Sequence, residues 1–414
     1  MATIGILGTM DTKGEEHGYV AERIRQKGHR TLVIDVGTLG APTLVPDVTR
    51  DQVLEVVGIR LADLEARRDR GESVAAMAKA APEFLKRCVA EKRIDGVISL
   101  GGGGGTAIGT AAMRALPIGF PKVMVSTLAG GNVAPYVGVK DIVMIPSLVD
   151  VAGLNRISRQ VFSRAAGAIC GMVEASVPPS GDRPVIVASQ FGNTTQCVDR
   201  ARKRLEAAGF EVLVFHATGT GGRMMESLIE SGMVAGVLDI TTTEWADELV
   251  GGVLGAGPTR LEAAARGGIP AVVAPGCLDM VNFGAAETVP ARFHGRNFYP
   301  HNPQVTLMRT NREESAALGH ILAEKLNLSR GPVTVMLPLK AMSIISAPGQ
   351  KFHDPDADKA LFAALRDGLR KDIPVQTLDC EINAPEFADT CADALLRHLT
   401  LLPSINNLGT TPVT

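Results

Sequence analysis

The chain has 414 residues and a formal net charge of −2 at pH 7; 45% of its residues are hydrophobic and only 4% are aromatic. This length predicts two domains with sizeable cores, and the small aliphatic residues and 45 glycines favour layered α/β packing with tight turns. The near-neutral charge and the lack of a basic block disfavour a nucleic-acid partner.

Strand-like and helix-like patterns alternate along the first half of the chain. The predicted strands are residues 3–9, 31–36, 96–100, 122–126 and 141–148. The predicted helices are residues 15–27, 73–91, 106–116 and 155–173. Short strands that alternate with helices predict a parallel, doubly wound sheet. A polar, proline-bearing segment at residues 174–182 is the best linker candidate, so the first domain is predicted over residues 1–178.

The pattern restarts after the linker. Residues 3–40 align without a gap on residues 184–221, a shift of 181 residues that matches Gly28 with Gly209. Further strands are predicted at 271–274, 305–309, 333–337 and 375–378, and helices at 312–326, 356–369 and 385–399. We interpret this as an internal duplication that gives two Rossmann-like lobes with mostly parallel, doubly wound sheets. The second lobe is predicted over 183–403, with a flexible tail at 404–414.

The sequence also indicates the cellular compartment. The N-terminus enters a predicted strand at once and lacks a signal-peptide pattern. Apolar stretches are interrupted by Lys, Gly and Pro before they reach membrane-spanning length. The six cysteines are scattered with no C-x-x-C pair, which disfavours both a disulfide framework and a structural zinc site. We therefore expect a cytoplasmic protein with no membrane partner.

Five consecutive glycines are the most informative feature of the first lobe. They follow a buried strand, precede a helix and are followed by a threonine: Gly101, Gly102, Gly103, Gly104, Gly105 and Thr106. Bare backbone N–H groups at the positive end of a helix dipole can hold a phosphate. The loop lacks the lysine of a Walker A motif and the acidic residue of a dinucleotide-binding fingerprint, so it predicts a phosphate site of another kind. The alternative is a tightly packed turn without a ligand.

The first strand-to-helix loop offers further polar groups. Lys13 lies at a helix N-terminus, where the dipole favours anions, so a shared phosphate would explain its presence there. Thr9 and Thr12 supply hydroxyls, and Asp11 is a candidate ligand for Mg²⁺ or for a ribose hydroxyl. The alternative is that Asp11 or Thr12 simply caps the helix.

Two other strand exits complete the predicted nucleotide site. Asp35 ends the second strand, where a carboxylate often binds ribose hydroxyls, although a turn residue is an equal reading. Gly130 and Gly131 follow the fourth strand in a third glycine-bearing loop. Because the carboxyl ends of parallel strands share one edge of a sheet, we expect these loops to form a single nucleotide pocket.

The second lobe has a different set of candidate residues. A second ligand, bound through a carboxylate or phosphate, is predicted in a loop formed by Thr218, Gly219, Thr220 and Gly221. Glu244 begins a helix after another strand exit and is a candidate for acid–base catalysis. The alternative for Glu244 is a solvated helix start that complements the dipole.

Three more residues of the second lobe are candidates for chemistry. Cys277 and Asp279 follow a strand end, and a thiol there would be nucleophilic if a helix terminus or a histidine lowered its pKa. A small packing residue is the alternative for Cys277. His353 lies in a loop beside an aspartate and is a candidate acid or base. Thr218, Glu244 and Asp279 each follow a different strand exit, so we expect them to converge on one pocket, which His353 would have to reach from its own loop.

Five separated segments carry a resemblance to a known family: residues 8–16, 101–106, 239–247, 275–279 and 348–354. On these segments the chain resembles bacterial and fungal proteins related to the N-terminal region of the plant tobamovirus-resistance protein. The resemblance extends to about residue 403. It implies a dimeric, ATP-binding protein of two Rossmann-like lobes with ATP in the first lobe. The plant protein has an additional C-terminal domain, so its antiviral role is not carried over.

These observations favour an ATP-binding enzyme that uses Mg²⁺ and acts on a small polar metabolite in the crevice between the lobes. Enzymatic activity itself stays open, because the sequence shows no kinase or Walker motif and no defined catalytic base. One alternative is a non-catalytic, nucleotide-responsive binding protein. The other is a hydrolase or lyase centred on the C-terminal lobe at Glu244, Cys277 and His353.

Overall fold

A computed structural model describes residues 1–67, 69–176 and 183–400. The chain divides into two compact units, Met1–Pro178 (unit 1) and Pro179–Thr414 (unit 2). The predicted tail at 404–414 and most of the predicted linker lie outside the described residues. Within the described ranges, every helix is too short or too polar to cross a membrane.

Strands and helices alternate in unit 1, as the sequence predicts. The strands are β1 (Thr3–Gly8), β2 (Arg30–Asp35), β3 (Gly96–Gly101), β4 (Lys122–Ser126) and β5 (Val143–Pro146). The helices are α1 (Met10–Gln26), α2 (Arg50–Glu55), α3 (Leu61–Arg67), α4 (Arg70–Ala90), α5 (Gly103–Arg114), α6 (Ala134–Val137) and α7 (Arg156–Glu174).

The strands of unit 1 form a parallel sheet in the order β2-β1-β3-β4-β5. One face packs against α4 and α5 and the other against α1 and α7, so β3 is buried along its whole length. The strand order reverses between β1 and β3. In open α/β sheets, ligands bind beyond the carboxyl ends of the strands at such a switch point.

Unit 2 repeats this alternation and adds further elements. Its strands are β6 (Val185–Gln190), β7 (Glu211–His216), β8 (Gly236–Thr241), β9 (Ala271–Gly276), β10 (Met280–Phe283), β11 (Phe298–Asn302), β12 (Val305–Arg309), β13 (Val333–Pro338) and β14 (Val375–Leu378). Its helices are α8 (Thr195–Ala207), α9 (Thr220–Glu230), α10 (Glu244–Val250), α11 (Glu262–Gly267), α12 (Arg312–Leu326), α13 (Pro355–Gly368) and α14 (Pro385–Thr400).

The main sheet of unit 2 is also parallel, in the order β14-β13-β9-β8-β6-β7. This is the strand order of unit 1 with one strand added at the edge. The strand predicted at 305–309 exists as β12, but it belongs to a separate antiparallel sheet with β10 and β11. The two-lobe α/β architecture is therefore confirmed, with this small sheet as an addition that the sequence analysis did not foresee.

The strand registers allow the internal repeat to be compared position by position. Thr3 pairs with Arg30 in unit 1, and Val185 pairs with Glu211 in unit 2. The first strands are therefore offset by one residue from the gapless sequence alignment, whereas the second strands agree with it. Strands β3 and β8 correspond from end to end, so the glycine-rich turn after β3 has its counterpart in the residues after Thr241.

Candidate functional site

A cavity of about 230 Å³ opens in unit 1 at the carboxyl ends of β1 and β3, where the strand order reverses. Thr9 and the first turn of α1, the loop after β2, the N-terminal parts of α4 and α5, and one residue after β5 line it. The lining residues are Thr9, Asp11, Thr12, Lys13, Thr38, Leu39, Arg70, Val74, Gly102, Gly103, Gly104, Gly105, Ile108 and Asp150.

The N-terminus of α5 presents unpaired backbone amides to this cavity. Gly102 is the N-cap, and the N–H of Thr106 donates the first bond of the helix to the Gly102 carbonyl at 2.8 Å. The amides of Gly103, Gly104 and Gly105 precede that bond, so they have no intrahelical acceptor. They also lie at the positive end of the helix dipole, which favours an anion.

Of the five glycines, only Gly101 is required by packing, and Gly103 and Gly104 have the most room for a side chain. A Cβ on Gly101 would lie 2.9 Å from the Gly105 Cα, so the close approach of β3 to the first turn of α5 requires glycine there. A Cβ on Gly103 would meet no atom within 4 Å, and a Cβ on Gly104 would meet only Val74 Cγ2 at 3.9 Å. The missing side chains at these two positions leave room within the cavity.

The N-terminus of α1 places Lys13 and two threonines beside the same cavity. Lys13 has non-helical backbone angles (φ −136°, ψ 28°), and its Nζ donates to the Val151 carbonyl. The hydroxyls of Thr9 and Thr12 lie 3.1 Å apart. Thr9 is the N-cap of α1 but makes no side-chain capping bond, so neither threonine is consumed as a helix cap.

Asp11 binds the loop after β2 instead of capping α1. Its Oδ2 accepts the N–H groups of Thr38, Leu39 and Gly40 at 3.0, 2.7 and 3.3 Å. Its Oδ1 is buried, and among the described residues it has no hydrogen-bond partner. The carboxylate therefore ties the start of α1 to the loop after β2 and leaves one buried oxygen without a partner.

Other residues predicted for the nucleotide site lie outside the cavity lining. Asp35 is buried, accepts the N–H groups of Met10 and Gly37, and pairs with Arg50 at 3.0 Å, so it holds loops in place and is not available to a ribose. Thr106 is buried, with its hydroxyl 2.6 Å from that of Ser126. Gly101 ends β3 inside the sheet, and Gly130 and Gly131 lie in an exposed turn after β4.

His17 is a buried residue of this site that the sequence analysis missed. Its Nδ1 lies 2.7 Å from the Lys13 carbonyl, and its Nε2 lies 3.4 Å from the N–H of Leu100. Burial lowers the pKa of His17, and these partners fit a neutral ring that donates from Nδ1 and accepts at Nε2. A Cβ on Gly8 would overlap the ring. His17 thus connects the backbone of α1 with that of β3.

Arg70 and Asp150 were also missed. Arg70 is the first residue of α4 and Asp150 follows β5, and both side chains are exposed. Neither residue belongs to a motif, and each reaches the cavity only because the fold brings distant segments to one edge of the sheet. Glycines after a strand are visible in a sequence, whereas such isolated charges are not.

In unit 2, Glu244 is a buried structural carboxylate. Its Oε1 accepts the N–H groups of Gly219 and Gly222 at 2.7 and 3.0 Å, and its Oε2 accepts a bond from Arg260 Nε at 2.7 Å. Glu244 is 1% exposed, which leaves no oxygen accessible to a substrate. These contacts do not support the predicted catalytic role of Glu244, nor the alternative of a solvated helix start.

The same contacts weaken the predicted second-ligand site at the start of α9. The amide of Gly219 is already satisfied by Glu244, and a Cβ on Gly221 would overlap the His216 carbonyl, so this glycine serves packing. The Thr218 hydroxyl donates to the His216 carbonyl at 3.3 Å, and the Thr220 hydroxyl accepts from Arg223 at 3.2 Å. The chain's own carboxylate therefore occupies the position predicted for a second ligand.

Arg260 joins Glu244 to two further carboxylates. It makes two bonds to Asp239, at 2.6 and 2.7 Å, and one to Glu226 at 3.1 Å. Arg260 is 1% exposed. Burial raises the pKa of Glu226 even though Arg260 opposes this shift. One buried cation thus holds three acidic side chains from different segments of unit 2.

Cys277 and Asp279 lie in one segment of unit 2, after β9, and His353 lies in the loop before α13. Cys277 is fully buried at φ 60°, and burial raises the pKa of its thiol, which disfavours a nucleophilic thiolate. Asp279 accepts the Ser343 hydroxyl at 2.7 Å, and burial raises its pKa. His353 is exposed and lies 3.2 Å from the Ser346 carbonyl. No hydrogen bond among the described residues links Glu244 directly to Asp279 or His353.

Comparison with known protein families assigns both units. Residues 2–178 match the N-terminal domain of the Uncharacterised protein family (UPF0261), and residues 183–399 match its C-terminal domain. A UPF0261 protein of Clostridium tetani is 51% identical over 396 residues, which cover 95% of this chain and 98% of that protein. A UPF0261 protein of Rhizobium meliloti is 47% identical over 396 residues, with the same coverage of both chains.

A longer relative is the ToMV resistance protein Tm-1(GCR237) of Solanum lycopersicum. It is 39% identical over 433 residues, which cover 96% of this chain but 57% of the tomato protein. Resistance to the virus is therefore stated only for that longer protein. The two domain matches and the full-length relatives show that the chain belongs to the UPF0261 family, with the cavity in its N-terminal domain.

Proposed function

We propose that the protein binds ATP in the cavity of unit 1, with the triphosphate at the N-terminus of α5. The observation that carries the proposal is that Gly103 and Gly104 are glycines although a side chain at either position would not clash with the protein. The space that a side chain would fill is therefore left open for a ligand. This room lies beside uncapped helix amides at the switch point of the sheet, where ligands of such folds bind. The resemblance to the plant resistance protein's N-terminal region supports ATP as the ligand.

The side chains around the cavity suit a polyphosphate. Lys13 and Arg70 provide positive charge, and the hydroxyls of Thr9 and Thr12 provide further donors. Lys13 would exchange its bond to the Val151 carbonyl for a charge-assisted bond to a phosphate oxygen. Such an exchange favours the ligand, because bonds between ionised partners are stronger than bonds to a neutral carbonyl.

Mg²⁺ would enter with the nucleotide. The described residues contain no group of three or more His, Cys, Asp or Glu that could hold a metal by themselves. Mg²⁺ on a nucleotide needs only one or two carboxylates in addition to phosphate oxygens and water. The carboxylates of Asp11 and Asp150 line the cavity and fit this requirement.

We also propose that the protein uses the bound ATP in a reaction on a small polar metabolite. We further propose that it is a cytoplasmic homodimer. A nucleotide-responsive binding protein is the second candidate function. It is favoured by Asp11, which lines the cavity and also holds the loop at residues 38–40. A ligand that drew Asp11 toward a metal would release that loop and change the surface that it forms.

Calorimetry with MgATP tests the site. Gly103→Val should fold normally, because the new Cβ meets no atom, and should weaken ATP binding by about 1–3 kcal/mol through overpacking of the cavity. Lys13→Ala should lose about 1–3 kcal/mol through the missing charge-assisted bond.

Gly171→Val is the matched control. Gly171 is an exposed glycine within α7, and a Cβ there would also meet no atom within 4 Å. This variant should bind MgATP as the unaltered protein does. Unchanged affinity in both Gly103→Val and Lys13→Ala would place the nucleotide elsewhere, and no binding at all by the unaltered protein would refute the proposal.

A further inference from the structure

We infer that the cavity recognises the phosphate chain and not the base, so that ATP, GTP and inorganic tripolyphosphate bind with similar affinity. This inference rests on the proposed function and goes further by naming the part of the ligand that is read. It follows from sorting the groups that line the cavity by the chemistry that each can offer.

The groups that suit phosphate are numerous and converge from separate segments. Three consecutive helix amides come from Gly103, Gly104 and Gly105, and the charges come from Lys13 in α1 and Arg70 in α4. All of these groups are hydrogen-bond donors that bind anionic oxygen atoms. Because every nucleoside triphosphate carries the same phosphate oxygens, these donors do not distinguish one nucleotide from another.

The groups that suit a base are few. The described lining residues include no aromatic side chain, and the apolar ones are Leu39, Val74 and Ile108. Aliphatic side chains contact the faces of adenine and guanine equally well, since dispersion does not depend on the pattern of donors and acceptors. They therefore provide little discrimination between bases.

Backbone amides near this apolar region are already used. The N–H groups of Thr38, Leu39 and Gly40 all donate to Asp11 Oδ2. A protein reads a base edge with positioned donors and acceptors, and these three donors are withdrawn from that task. Of the remaining side chains, Asp150 is exposed, so water competes with any base for its carboxylate.

The size of the cavity agrees with this division. Its volume of about 230 Å³ is below the roughly 300–1,000 Å³ of sites that enclose most of a drug-sized ligand. A polyphosphate with part of the ribose would be enclosed, and the base would extend toward solvent. Sites that discriminate strongly do so by leaving buried polar groups unpaired with the wrong ligand, and a base in solvent imposes no such penalty.

Competition calorimetry decides the question with the full-length protein. MgATP, MgGTP and magnesium tripolyphosphate should bind with dissociation constants within about tenfold of one another, which is about 1.4 kcal/mol. All three should be weakened alike by Gly103→Val, and none by the control Gly171→Val. Adenosine, which has the base but no phosphate, should not displace ATP.

The outcomes separate the two proposals. A preference for ATP over GTP larger than about tenfold, or displacement of ATP by adenosine but not by tripolyphosphate, overturns the inference. If such base-selective binding is still weakened by Gly103→Val, the nucleotide site itself stands. If none of the three triphosphates binds, both the site and the inference are refuted.

Discussion

Arg260 pairs with three acidic side chains inside unit 2, so its removal should be strongly destabilising. Arg260→Met would leave Asp239, Glu226 and Glu244 buried together without their cation. Breaking a buried ion pair from one side typically costs about 3–5 kcal/mol, because an uncompensated charge stays buried. We expect a loss of this order in the free energy of unfolding, measured by urea denaturation.

Arg204→Met is the matched control for that experiment. Arg204 also pairs with a carboxylate of unit 2, Asp393, but both side chains are substantially exposed. Exposed pairs contribute about 0–1 kcal/mol, because solvent screens them. If the two variants lost similar stability, the buried network would not have the structural role that its geometry indicates.

His17 predicts how the stability of unit 1 depends on pH. Burial lowers its pKa in the folded state below the ordinary 6.5, with the nearby charge of Lys13 acting in the same direction and that of Glu16 opposing it. As the pH falls below about 6.5, the unfolded chain takes up the proton first, so the folded state loses stability. We expect urea midpoints to decrease between pH 7.5 and 5.5 more in the unaltered protein than in His17→Gln.

The variant isolates this effect from other titrations. Glutamine can still donate to the Lys13 carbonyl and accept from Leu100, but it has no proton to gain. Asp247, whose pKa burial raises to about 7, has the opposite effect, since the folded state gains stability as this carboxylate takes up a proton, and this effect is present in both proteins. Parallel pH profiles for the two proteins would contradict a buried, neutral His17.

At the scale of elements, local patterns located most of the predicted strands and helices to within one or two residues, and α12 has its predicted bounds, but the starts of three helices in unit 1 were placed too late. β4 and β12 have their predicted bounds, because continuous apolar runs mark buried strands. α1 begins at Met10, five residues before the predicted start, since Gly14 and the kink at Lys13 interrupt the helical pattern. α5 begins within the glycines, three of which are helical although glycine disfavours helices.

Local sequence patterns do not show which strands pair with each other when they are far apart along the chain. The strand at 305–309 was placed in the parallel sheet, but its partners are the short strands β10 and β11, which have no clear periodicity. The same limit applies to the site. The loops after β1 and β3 were predictable because parallel strands end at one edge, whereas the contribution of Arg70 depends on where α4 begins.

At the scale of the molecule, each core cluster draws on one unit. The two clusters around the sheet of unit 1 contain residues from Ile4 to Cys170. The two clusters around the sheets of unit 2 contain residues from Ile186 to Leu399. All residues that line the cavity lie between Thr9 and Asp150. A fragment of residues 1–176 should therefore fold by itself and retain the binding of MgATP.

Circular dichroism and calorimetry on this fragment provide the check. We expect one cooperative thermal transition. We also expect the dissociation constant of the fragment for MgATP to lie within about threefold of that of the full chain, a difference of less than about 1 kcal/mol in binding free energy. An unfolded fragment would show that unit 1 depends on the rest of the chain. A folded fragment that binds no ATP, although the full chain does, would remove the site from unit 1.

The carboxylate of Glu244 has a consequence for the number of ligands per chain. It is a ligand attached to its own receptor, and attachment gives it an effective concentration in the millimolar range or above. A free carboxylate or phosphate at ordinary cellular levels would have to compete with that effective concentration, so we do not expect it to displace the Glu244 carboxylate. Counted from the ends of β3 and β8, Glu244 stands where unit 1 has Gly104, so among the described residues the second lobe supplies its own anion at the start of α9.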